Sequence, residues 1–253
     1  MKKLPVLFCA LAAVALAADL PYVGKWKTNL AKSDFGLTAF TIESLPSGEW
    51  QTTAFGVTAK FKMDGNEYPD GMGGTVVWKD VGNNTWESVS KANGKVTARD
   101  TLKLSTDGKT LTDSNKEMKL DGGLIDSTTV YSRASGGPGL AGKWQTKKVS
   151  GGGGMIEMTA FGSDGLTFKD LDQGMTCTGK LDGKDYPCTG PMLPPGFTSA
   201  VKTSGRSLDL TVKKDGKTFF TATYTVSADG KTLSETGTPA TGGDKFTIVF
   251  DRM

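Results

Sequence analysis

The sequence predicts an all-β fold, two tandem antiparallel up-and-down β-barrels, and three observations carry that expectation. Gly24-Lys25-Trp26 returns as Gly142-Lys143-Trp144, and the offset of 118 residues persists as Asp64-Gly65 with Tyr68-Pro69 recurs as Asp182-Gly183 with Tyr186-Pro187. Short segments rich in Thr, Val, Phe, Tyr and Trp alternate with Asp-Gly or Asn-Gly pairs, which suit type I′ hairpin turns. After the first 18 residues no stretch holds a 3.6-residue apolar period, so hairpin-joined strands are expected, eight or nine per repeat.

In chain order, Met1-Lys2-Lys3 and the apolar run Leu4 to Ala17 read as a signal peptide over residues 1–18. The run is shorter than the ~20 residues that span a bilayer, and Ala15, Ala17 and Ala18 supply a cleavage site. Cys9 follows Phe8, where a lipid-anchored chain would carry a small residue. The expectation is an exported protein, periplasmic or extracellular, with no membrane insertion after cleavage. Removing Lys2 and Lys3 takes Lys plus Arg from 30 to 28 against 27 Asp plus Glu, and no basic block stands out. Nucleic acid is therefore not an expected partner.

The first repeat spans residues 19–133 and the second 140–253, with 134–139, Ala-Ser-Gly-Gly-Pro-Gly, expected as a linker. A lone meander leaves two unpaired edges, and curling it into a barrel removes both. The last strands fit closure. Phe246, Ile248, Phe250 and Arg252 share a parity, as do Tyr131 and Arg133, so each apolar row ends in a guanidinium placed to cover Trp26 or Trp144. Paired sandwiches, the structural alternative, would leave the arginines unrelated to the tryptophans.

Cys177 and Cys188 flank the Asp182-Gly183 turn. If the flanking strands run back along each other, a disulfide is within reach and would stabilise the fold by roughly 3 kcal/mol on the entropic account; two buried thiols are the alternative.

A Gly-x-Trp on the first strand, with an Arg at the end of the last strand, resembles the calycin superfamily of lipocalins, fatty-acid-binding proteins and lipocalin-like relatives. The matching positions are Gly24, Trp26 and Arg133, and again Gly142, Trp144 and Arg252. The opening from Gly24 to Phe35 is also similar to exported bacterial proteins of that type without an assigned function. The second copy departs from it, with Lys147 to Ser150 and Gly151 to Gly154 in place of Asn29 to Phe35. The resemblance implies lipocalin-like barrels in which Trp26, Arg133, Trp144 and Arg252 are structural.

The chain has no histidine, which excludes Ser-His-Asp and Cys-His catalysis and the usual His-containing metal centres. No catalytic residue, metal or cofactor is expected. Asp64, Glu67, Asp70, Asp182 and Asp185 read as turn or solvated carboxylates, and Gly151 to Gly154 lacks the Lys-Ser/Thr and helix of a phosphate loop. A barrel of about eight strands is either filled or holds one small ligand. Phe61, Tyr68, Trp78 and Tyr186 are the candidate ligand-binding residues. The expected function is non-catalytic binding of a small apolar or amphipathic ligand. The alternative is an envelope or secreted protein-interaction module, a scaffold or inhibitor with filled barrels and a protein partner.

Overall fold

The computed structural model describes residues 20–35, 39–54, 56–239 and 245–253; the expected leader, 1–18, lies outside the described residues. The first repeat contributes β1 (Gly24–Thr28), β2 (Ala39–Ser44), β3 (Trp50–Ala54), β4 (Val57–Phe61), β5 (Asp64–Pro69), β6 (Thr75–Gly82), β7 (Thr85–Ala92), β8 (Lys95–Leu104), β9 (Thr110–Met118) and β10 (Leu124–Ser135). The second contributes β11 (Gly142–Gly151), β12 (Met155–Phe161), β13 (Gly165–Asp170), β14 (Thr176–Lys180), β15 (Tyr186–Thr189), β16 (Phe197–Ser204), β17 (Ser207–Lys214), β18 (Lys217–Val226), β19 (Thr232–Pro239) and β20 (Phe246–Arg252). Among the described residues the only helical element is one 3₁₀ turn, Leu30–Lys32. The fold is all-β, in two antiparallel barrel-like sheets of ten strands. Ten strands per repeat replace the expected eight or nine because reversals without an Asp-Gly or Asn-Gly pair, such as Gly56 at φ 75° between β3 and β4, escape the turn signature.

The sheets do not follow the repeats. β1 lies between β12 and β20 in a closed barrel of the second repeat, while β11 lies between β10 and β2 in the sheet of the first. Each copy thus gives its opening strand to the other. Residues 134–139 are not an inter-domain linker; they turn β10 back onto β11 within one sheet. The physical reason is loop closure: a short connection lets β10 pair with the next strand at low entropic cost, which leaves β1 to close the other barrel.

The crossings explain where the two copies diverge. After β1, Asn29 N donates to Val249 O at 2.7 Å, Asp34 N to Thr247 O at 2.7 Å and Lys32 Nζ to Asp251 Oδ1 at 2.9 Å, so this segment stays on β20. At the second crossing Gly151, Gly152 and Gly153 take φ of 69°, 76° and 90°. A Cβ on Gly151 would stand 2.6 Å from Asp126 O of β10 and one on Gly153 3.3 Å from Thr28 Cβ of β1, so the glycine run is a close passage from one barrel to the other.

We call the sheet of β2 to β11 the N-terminal barrel and that of β1 and β12 to β20 the C-terminal barrel. The former has a seam between β4 and β5, the two ends of its strand order. At the same seam of the C-terminal barrel, β14 and β15 share the pairs Thr176 with Thr189 and Cys177 with Cys188, and the latter two form a disulfide with Cα atoms 4.3 Å apart. By the shared offset these cysteines replace Ala59 and Asp70.

The expected turn chemistry holds at two places. Asn93-Gly94 and Asp215-Gly216 have positive φ at both residues, as does Asn83-Asn84, whereas at Asp107-Gly108 and Asp229-Gly230 only the glycine does. There the aspartate instead accepts the N–H of Lys109 or Lys231, at 3.0 Å each, which fixes a wider turn.

Candidate functional site

Both barrels are closed at one end by the same device, with partners exchanged relative to the resemblance. Arg252 stacks over Trp26 and Arg133 over Trp144, each with its guanidinium carbon 4.1 Å from the ring centroid. Each arginine spends its donors on three backbone carbonyls: Arg133 on Gly108, Gly139 and Ala141, Arg252 on Gly230, Val23 and Pro21. The indole N–H groups donate to Tyr22 O and Leu140 O. A Cβ on Gly24 would meet Arg252 Nη1 at 2.7 Å and one on Gly142 would meet Arg133 Nη1 at 2.8 Å, which accounts for the glycine two residues before each tryptophan. With both tryptophans fully buried and all three nitrogens of each guanidinium bonded to backbone carbonyls, these residues hold the closed end.

The interiors differ. In the N-terminal barrel Phe61 stacks on Trp78 at 4.9 Å and 13°, and Trp86, Trp144, Leu102 and Leu111 pack with them. In the C-terminal barrel there is an apolar cavity of about 250 Å³. The shared offset puts Gly179 where the first copy has Phe61. Tyr68 pairs with Val76 and Tyr186 with Ser199, so two residues further on Trp78 and Val201 hold the same inward place. Gly179 and Val201 both line the cavity, which therefore occupies the space of the Phe61–Trp78 stack.

Of the four candidate ligand-binding residues the structure brings only Tyr186 to this cavity. Its ring lies over Gly179, where a Cβ would approach Tyr186 Cγ to 2.4 Å. Tyr68 packs against the core of the N-terminal barrel, the cluster that holds Phe61 and Trp78. Both tyrosines make one local contact: Tyr68 donates to Asp64 Oδ2 at 2.8 Å and Tyr186 to Asp182 Oδ2 at 3.2 Å. The turn N–H groups of Asn66 and Lys184 add to these bonds and hold both carboxylates below the usual range. Glu67 pairs with Lys91 and Asp185 with Lys213, so these acids are engaged at the surface.

The sequence reading missed a duplicated inward acid, buried at Glu235 and half-buried at Asp113. Ser105 to Leu111 recurs as Ser227 to Leu233, so Asp113 and Glu235 correspond, both on the inward row of their strands. Burial pushes Glu235 up to about 7 although the hydroxyl of Tyr224, its cross-strand partner, donates to it. Asp113 is also pushed up to about 7, by burial and by Asp100, and its Oδ1 is buried without a hydrogen-bond partner. The available signal was an acid two residues after each DGKTL, in step with a buried leucine. Val201, Ser199 and Met72 were missed as well, because a small or flexible apolar residue carries no signature of a cavity wall.

Among the described residues no group of three or more His, Cys, Asp or Glu is arranged to hold a metal ion. Nor is any helix among them long and apolar enough to cross a membrane. Compared with known proteins, the chain matches no family model, and no curated protein is similar to it in sequence.

Proposed function

We propose that this is an exported, lipocalin-like protein of calycin type that binds one small apolar or amphipathic molecule, without catalysis, in its C-terminal barrel. The observation that carries the reading is the apolar cavity of about 250 Å³ behind the Cys177–Cys188 wall. An apolar cavity of about 150 Å³ stays dry and takes up benzene, so this one has room for a larger guest. The duplicated tryptophan–arginine closure supports the calycin assignment, and the leader-like first 18 residues with the disulfide support export.

Native mass spectrometry of gently purified protein tests the reading. One retained small molecule per chain is expected, and Val201→Trp should lose it by refilling the space. A ligand-free wild type that also takes up no apolar probe saturably would sink the proposal.

A further inference from the structure

The cavity is not built by the C-terminal barrel alone. Met72, from the loop between β5 and β6 of the other barrel, lines it and packs against Cys177, Cys188 and Phe197. That loop is shaped to deliver it. Asp70 Oδ1 accepts the N–H groups of Met72 at 2.7 Å and Gly74 at 2.9 Å, while Gly71 and Gly73 take φ of 80° and 99°. A Cβ on Gly71 would stand 2.6 Å from Thr58 O, so the loop needs glycine to fold back over its own sheet. Next to it, Asn93 Nδ2 donates to Leu193 O at 2.9 Å and to Pro191 O at 3.4 Å, tying the loop that carries Leu193, another wall residue, to the N-terminal barrel.

The chemistry of the wall restricts its guest. Phe197 and Phe219 meet edge to face at 6.1 Å and 85°, and with Phe168 they border the space together with the sulfur-bearing Met72, Met158 and Cys177. Ring edges and polarisable sulfur favour an aromatic partner over an alkyl chain. Lys180, at the rim, is held by Asp164 at 2.9 Å, so the wall offers no free counter-charge to a buried ionic group. Since about 150 Å³ accommodates one benzene ring, about 250 Å³ suits roughly two rings.

We infer that the cavity is a composite site for a neutral, planar aromatic molecule, with Met72 of the N-terminal barrel as a wall residue that sets this preference. The inference rests on the proposed binding function and adds the ligand class and the residue supplied from across the barrel interface.

The test titrates the full-length protein and its Met72→Leu and Met72→Ala variants with 1-aminonaphthalene, followed by fluorescence, and with 1-nonanol as competitor. The naphthalene probe should bind at one per chain, at least about tenfold tighter than nonanol. Met72→Leu keeps volume and removes sulfur, so it should weaken the aromatic probe by about two- to tenfold and leave nonanol unchanged. Met72→Ala should weaken both. Nonanol binding as tightly as the naphthalene, or no effect of Met72→Leu, would overturn the aromatic preference while the site stands. No effect of Met72→Ala would overturn the shared wall. Absence of saturable binding by either compound would overturn the binding function itself.

Discussion

Phe61 lies flat on Trp78 in the N-terminal barrel; in the C-terminal barrel the corresponding residues are Gly179 and Val201, and a cavity takes the place of the rings. The frames around these two interiors are alike. Each is closed by a tryptophan under an arginine, each carries an inward acid after its DGKTL turn, and each has a tyrosine bonded to the aspartate four residues before it. Where they part is the seam, bridged by the disulfide only in the barrel that is hollow. The comparison teaches that the backbone template does not decide between a packed core and a binding cavity. Side-chain volume at two inward positions does, and a cross-link holds the wall that lacks packing behind it.

Transferring one interior to the other is the strongest way to break this comparison. Replacing Phe61 by Ala and Trp78 by Val should destabilise the N-terminal barrel by about 3–5 kcal/mol or more, and create uptake of an apolar probe there, read by calorimetry and fluorescence. An undiminished melting temperature would show that the stack is not what holds that core.

Trp26→Ala should cost about 3–5 kcal/mol, and its location tests the strand exchange. Hydrogen exchange should rise in β12 and β20, not in β2 and β10, whereas Trp144→Ala should do the reverse. Loosening of the barrel on its own repeat's side would contradict the exchanged topology.

Cys177→Ser with Cys188→Ser should lower stability by roughly 3 kcal/mol in denaturant titrations and weaken probe binding by opening the β14–β15 seam. Binding that survives unchanged would mean the two ladder pairs suffice to hold the wall.

The smallest effect is a pH dependence. Folding holds a proton on Glu235 up to about pH 7 against an ordinary value of 4.5, so over that interval the native state binds more protons than the unfolded chain. Stability should therefore fall as pH rises from about 4.5 to about 7 and then level off. Glu235→Gln should remove its share of that slope, at most roughly 3 kcal/mol, as measured by urea midpoints at pH 5 and pH 8. A parallel profile in the variant would assign the slope to Asp113 and Glu117, which share the direction.

By itself the sequence determined the all-β class, the two-fold repeat, the cysteine pair and the residues of the closed ends. These are legible because they rest on local signals: turn residues, side-chain parity along a strand and a motif that recurs at a constant offset. Only the tertiary structure decided that Trp26 sits under Arg252 rather than Arg133, since either arginine satisfies the ring and the choice is made by how cheaply β10 pairs with the strand that follows it. Which barrel is hollow was likewise hidden. Phe61 and Trp78 read as cavity-facing rings, and they do face inward, but they meet each other there; a cavity is set by what is missing across the barrel, at Gly179 and Val201, and absence of volume leaves no mark in a single strand. Met72 belongs to the same class, because its role depends on a second barrel held against its loop by contacts a hundred residues or more away.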